Sequence, residues 1–148
     1  MILTQGSVNM DAEGKTYRTD AAGAATEAPH VLVIEDNPDT RNSLQAILQA
    51  HGYQVETAGD GIEGVEKALA ARPAIALIDI GLPRLDGFEV ARRVRAALGG
   101  SILLIACTAY SQPEDHQQAL DAGFDALRVK PYDPGQLLSW IQVLRPSA

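Results

Sequence analysis

The sequence predicts an α/β protein, a doubly wound parallel sheet of five strands with helices covering both faces. Three observations predict it. Five short apolar runs rich in β-branched residues alternate with five longer stretches of helical spacing. The joins between them are short, and β-α alternation with short joins implies right-handed crossovers. The runs are also near-continuous, as in Ala-Ile-Ala-Leu-Ile at 74–78. Strands buried on both faces read this way, whereas strands with one wet face alternate.

The elements follow in order. Residues 1–28 hold Gly, Ala, Thr and acidic residues without a sustained apolar period, which predicts a flexible tail ahead of one domain at 29–148. The first strand is His30–Ile34. A helix over Pro38–His51 follows, with Asn37 as N-cap, Pro38 at the first helical position and Gly52 after the last turn. Leu44, Ile47 and Leu48 give it an apolar stripe. Next come a strand at Tyr53–Thr57, a helix at Gly61–Ala71 and a strand at Ala74–Ile78. The helix Gly87–Leu98 is closed by Gly99-Gly100, and the strand Ile102–Ala106 leads to the helix Pro113–Ala122, closed by Gly123. The last pair is the strand Ala126–Val129 and the helix Pro134–Leu144, whose Leu137, Ile141 and Leu144 face inward.

Composition narrows the class of function. At 148 residues, with 46% hydrophobic and 21% charged, the chain fits one ordinary soluble domain. A formal net charge of -7 gives no electrostatic reason to bind nucleic acid or an anionic membrane. Cys107 is the single cysteine, so no internal disulfide forms and a reducing cytoplasm is the expected compartment. No apolar run is long enough for a signal peptide or a membrane span.

An open parallel sheet places its functional crevice at the carboxyl ends of its strands. There the first strand runs into Glu35-Asp36, the third into Asp79, the fourth into Thr108 and the fifth into Lys130-Pro131. Taken singly these residues have plain explanations. Acids before a helix suit its dipole, and a loop threonine commonly caps a turn. Lys130 equally serves as a structural counter-charge. Asp79 is harder to explain away, because a carboxylate ending a central strand is costly unless paired or metal-bound. It is the set that is specific. Three clustered carboxylates repel one another without a cation. Oxygen ligands alone select a hard divalent ion, with Mg²⁺ the natural choice. His30, His51 and His116 are scattered and offer no transition-metal site.

On these residues the chain resembles the receiver domain of two-component response regulators (CheY-like), over roughly residues 29–145. The motifs are Val-Leu-Val-Ile-Glu35-Asp36-Asn37, Leu77-Ile78-Asp79-Ile80-Gly81-Leu82-Pro83 with Asp86-Gly87, then Thr108-Ala109 and Lys130-Pro131. The resemblance implies a flavodoxin-like three-layer sandwich with strand order 2-1-3-4-5. It implies that Asp79 accepts a phosphoryl group from a phosphohistidine of a histidine kinase or a histidine phosphotransfer protein. Asp36, Asp79 and the Gly81 carbonyl would ligate Mg²⁺, with Glu35 assisting, and Thr108 and Lys130 would contact the phosphoryl oxygens. The Lys130-Pro131 peptide is expected to be cis. Such a domain catalyses its own phosphorylation and dephosphorylation but is a signalling module, not an enzyme acting on others.

One departure stands out. Three residues before the lysine the family usually carries Tyr or Phe on the fifth strand, and this chain has Leu127. The conformational output is therefore expected to be weaker or rerouted. Tyr110 is a candidate gate, more simply a half-exposed loop tyrosine, and Trp140, more commonly a partly buried core residue at such a place, is a candidate partner anchor. The chain ends just after the last helix, so the signal is expected to leave by protein contact or phosphorelay. It reads equally as a single-domain regulator or as the receiver of a hybrid sensor kinase. The rival readings are a flavin carrier, an aspartyl phosphohydrolase and a degenerate receiver that binds proteins without phosphorylation. The acid-rich loop Glu35-Asp36-Asn37-Pro38-Asp39 repels a flavin phosphate, and Gly81 stands where a phosphohydrolase wants a second acid. The degenerate receiver is the serious alternative.

Overall fold

The computed structural model describes residues 8–10, 16–19, 25–26, 29–109, 112–130 and 134–144. Three short strands, β1 (Val8–Met10), β2 (Thr16–Thr19) and β3 (Ala25–Thr26), pair antiparallel in that order. They fall within the stretch predicted as a tail, and the rest of residues 1–28 lies outside the described residues. From His30 the alternation is β4 (His30–Ile34), α1 (Pro38–Ala50), β5 (Gln54–Ala58), α2 (Gly61–Ala71), β6 (Ile75–Asp79), α3 (Gly87–Leu98), β7 (Leu103–Thr108), α4 (Pro113–Ala122), β8 (Ala126–Val129) and α5 (Pro134–Leu144). The five strands form a parallel sheet in the order β5-β4-β6-β7-β8. Counted from β4 as the first, this is the order 2-1-3-4-5.

The helix limits follow from their caps. Asn37 accepts from the N–H groups of Asp39 (2.9 Å) and Thr40 (3.2 Å), and Pro38 opens α1. Asp60 and Asp86 cap α2 and α3 in the same way. Gly123 closes α4 in the left-handed conformation, with φ 107°. The strands β6 and β7 run on to Asp79 and Thr108, beyond their apolar runs. The pairing carries them there: Asp79 stands opposite Cys107, and Thr108 opposite Val129.

Alternation along the strands divides the core in two. Leu32, Ile34, Ala76, Ile78, Leu104, Ala106 and Leu127 pack beneath α2, α3 and α4, with Ala68, Val90, Val94 and Ala119. Val31, Val33, Ile75, Leu77, Ile105 and Cys107 pack beneath α1 and α5, with Leu44, Leu48, Leu137 and Ile141. Both faces are thus dry along the inner strands β4, β6 and β7, as their near-continuous runs require. At the amino end of the sheet Arg95 ties the layers together. Its guanidinium donates to the carbonyls of Gly99 (2.7 Å), Ile102 (2.8 Å) and Gly123 (2.7 Å) and to Asp125 (2.8 Å). No helix of the described residues is long and apolar enough to cross a membrane.

Candidate functional site

The strand ends bring together the residues that the sequence scatters. Glu35 continues the alternation of Val31 and Val33, and Asp79 that of Ile75 and Leu77, so both project on the α1/α5 face at the carboxyl edge. Cys107 and Lys130 join them around a small cavity with Val33, Leu44 and Leu77. Thr108 falls on the opposite pleat, in step with Leu104 and Ala106, and so does Leu127. The site is therefore built across the edge of the sheet from both of its faces.

Carboxylate oxygens of Glu35, Asp36 and Asp79 lie within 4.8 Å of one another. They differ in solvation: Glu35 is buried, Asp79 half-buried and Asp36 exposed. A buried carboxylate needs a partner, and Glu35 has one in Lys130, whose Nζ donates to Oε1 at 2.5 Å. The same ammonium stands 3.9 Å from Asp79 Oδ2. Burial pulls the Lys130 pKa down, but the hydrogen bond to Glu35 and the charges of Asp79 and Glu35 outweigh it. The net direction is upward, and the ammonium stays charged. One ammonium against three carboxylates leaves the cluster negative. A hard divalent cation fits that charge and that oxygen-only donor set.

Local backbone bonds hold the pieces in place. Glu35 N donates to Ala58 O at 3.0 Å, and Lys130 N to Thr108 O at 2.6 Å. Beyond Asp79, Ile80 N donates to Cys107 O at 3.0 Å, and Gly81 N donates to the Asp79 carboxylate at 3.1 Å. Gly87 opens α3 directly against this turn: its N–H bonds Ile80 O at 3.0 Å, and a Cβ there would fall 2.6 Å from Asp79 O.

Of the predicted site residues, Glu35, Asp36, Asp79, Gly81, Thr108 and Lys130 all stand at this edge. Leu127 is buried in the core at β8. Tyr110, Pro131 with its expected cis peptide, and Trp140 lie outside the described residues or side chains. Sequence reasoning missed Arg41, whose guanidinium on α1 donates to the Glu35 carbonyl at 3.0 Å. It also missed Arg84, a non-glycine residue at φ 71° in the turn after Asp79. Position along a helix does not distinguish Arg41 from a solvated arginine. An Arg two residues before the cap Asp86 gives no sign of its backbone either.

Comparison with known proteins agrees with this fold. A family model described as the response regulator receiver domain matches residues 31–142. The response regulator MprA of Mycobacterium leprae is 36% identical over 114 residues, which cover 77% of this chain and 50% of that protein. The chain thus spans about half the length of this curated relative. The chemotaxis protein CheY4 of Vibrio cholerae superposes with a TM-score of 0.75 at 32% identity, covering 79% of this chain and 98% of that one. The receiver domain of the sensor histidine kinase PA1611 of Pseudomonas aeruginosa PAO1 has a magnesium ion coordinated in its active site cleft. It superposes with a TM-score of 0.74 at 33% identity, covering 81% of this chain and 99% of that one.

Proposed function

The chain belongs to the response regulator receiver domain family, and from that membership we propose that Asp79 is its phosphoryl acceptor in two-component signalling. The observation that carries the reading is the position of Asp79. Its carboxylate ends the central strand, half-buried, with Glu35 and Asp36 beside it and Lys130 Nζ at 3.9 Å. An Asp79 oxygen attacks the phosphorus of a phosphohistidine on a histidine kinase or phosphotransfer protein. The P–O bond forms as the P–N bond breaks, and the imidazole leaves and takes a proton.

Such a transfer needs alignment and charge neutralisation more than covalent help. Glu35, Asp36, Asp79 and the Gly81 carbonyl would hold Mg²⁺, which when bound offsets the repulsion between the phosphoryl group and the carboxylate. Lys130 supplies a second positive charge that can pass from the acids to a phosphoryl oxygen. The Thr108 hydroxyl supplies a donor to another. Glu35, freed of Lys130 in that exchange, would remain among the residues that hold the metal. The protein then signals by contact with a partner protein or by phosphorelay, in the cytoplasm.

The test is intact-mass spectrometry after incubation with Mg²⁺ and either acetyl phosphate or a phosphohistidine donor. One added phosphoryl group is expected, sensitive to acid and base, lost without Mg²⁺ and lost in Asp79→Asn. Silence with both donors would sink the reading in favour of a phosphorylation-independent binding module.

A further inference from the structure

The turn between β6 and α3, residues 80–86, carries Gly81 and therefore the carbonyl assigned above to the metal. Three contacts fasten it to the start of α2, an element outside the catalytic set. Gly61, the first residue of α2, packs on it so closely that an added Cβ would fall 2.0 Å from Leu85 O and 2.7 Å from Leu85 Cβ. The N–H of Gly61 also donates to Pro83 O at 3.5 Å. Arg84 adopts φ 71° and aims its guanidinium at Asp60 Oδ2, 3.5 Å away. Asp60 is itself held, because its Oδ1 accepts from Glu63 N at 2.9 Å as the cap of α2.

A non-glycine residue at positive φ is strained, and such strain persists only where the surroundings impose it. The ion pair does not explain it as stability. Arg84 is mostly exposed, and exposed pairs at this distance contribute little. A glycine would sit at this φ more easily. What the arginine adds is a tie from the turn to α2.

We propose that Asp60, Gly61 and Arg84 form a latch that holds the 80–86 turn in the shape that presents the Gly81 carbonyl, and so sets the Mg²⁺ affinity of the site. The inference rests on the assignment of Glu35, Asp36, Asp79 and Gly81 to the metal. With the turn held in advance, binding need not order it. These are positioning residues: none touches the reacting atoms. Outer partners of this kind commonly change metal affinity by roughly 10- to 100-fold.

The experiment is Mg²⁺ titration by calorimetry on the full chain, paired with thermal unfolding in a chelator. Arg84→Gly removes the tie and the strain together. It should unfold at the same or a higher temperature while binding Mg²⁺ roughly 10-fold more weakly. Charge alone predicts the opposite, since deleting a cation near a cation site should tighten binding, so weakening reports positioning. Arg84→Lys keeps the charge and should recover most of the affinity. Unchanged or tighter binding in Arg84→Gly overturns the latch, and so does a parallel loss of affinity and thermal stability. Asp36→Asn separates the two levels. If the wild type binds no Mg²⁺, or Asp36→Asn binds it as well as the wild type, the metal assignment itself has failed.

Discussion

Lys130 stands between two acids, and the asymmetry is informative. It is hydrogen-bonded to the buried Glu35 at 2.5 Å and stands 3.9 Å from Asp79, the proposed acceptor. The buried acid takes the ammonium because it has less water to fall back on. Asp79, half-buried, keeps an oxygen available to a phosphoryl donor while one bonds Gly81 N. Charge at a more exposed position behaves differently. Glu89, in the first turn of α3, accepts from Arg92 (2.9 Å) and Arg93 (3.3 Å), and its N–H caps onto Asp86. The hydrogen bonds from Arg92 and Arg93 hold its carboxyl below the ordinary glutamate value. A folded-state pKa that is depressed contributes stability above the unfolded value and loses it as pH falls through the folded one. Glu89→Gln should therefore melt slightly below the wild type at pH 7. That gap should close as the pH drops below 4.5, the ordinary value. Melting curves across pH decide it: a gap that stays constant into acid would show that the charge is not the cause.

At the scale of elements, close packing against the sheet edge decides which glycines are replaceable. Gly87 presses on main-chain atoms: an added Cβ would meet Asp79 O at 2.6 Å and Ile80 Cα at 2.7 Å, neither of which can swing aside. Gly64, on α2, would meet the Ile34 side chain, with Cδ1 at 2.5 Å. A side chain can shift, and alanine within a helix gains about 1 kcal/mol over glycine. Gly87→Ala should thus lose about 2 kcal/mol, within the range for overpacking. It should also slow phosphorylation, since α3 would push the Asp79 turn. Gly64→Ala should lose less than about 1 kcal/mol after that offset and leave the phosphorylation rate unchanged. Urea midpoints and phosphorylation time courses test the order, and equal losses would refute the distinction. The same contrast explains what could be read beforehand. Helices with clear caps, such as Gly61–Ala71 and Gly87–Leu98, have the limits that the sequence predicts. The ends of β6 and β7 extend further, because ladder pairing with neighbouring strands carries Asp79 and Thr108 past their apolar runs. The strand-end residues were legible through the rule that such sheets work at their carboxyl edge. The contact of Arg84 with Asp60 was not, since it joins residues 24 apart through a backbone conformation that no local pattern signals.

For the whole molecule, the pleat decides where a signal can travel. Asp79, Glu35 and Lys130 share the α1/α5 side of the sheet edge, whereas Thr108 and Leu127 share the side covered by α2, α3 and α4. Drawing Thr108 toward a phosphoryl group therefore disturbs the α4 side first. What lies there is Leu127, buried, beside an open groove of about 240 Å³ lined by His116, Leu120, Phe124 and Arg128. A leucine has no flat ring to follow the threonine and no hydroxyl to report a new position at the surface. Phosphorylation should thus move backbone amide signals strongly at 79–87 and 108–109 and only weakly along β8 and α4. Leu127→Tyr tests the argument from the other side. The groove gives a ring somewhere to go, so the substitution should cost less than the ~1–3 kcal/mol of overpacking a closed core. It should also carry the phosphorylation-dependent shifts into β8 and α4, as seen by two-dimensional amide spectra of the phosphorylated and unphosphorylated forms. Broad shifts across α4 in the wild type would mean that the backbone of β7 transmits the change without a ring. In that case Leu127 limits nothing, and the variant would behave as the parent does.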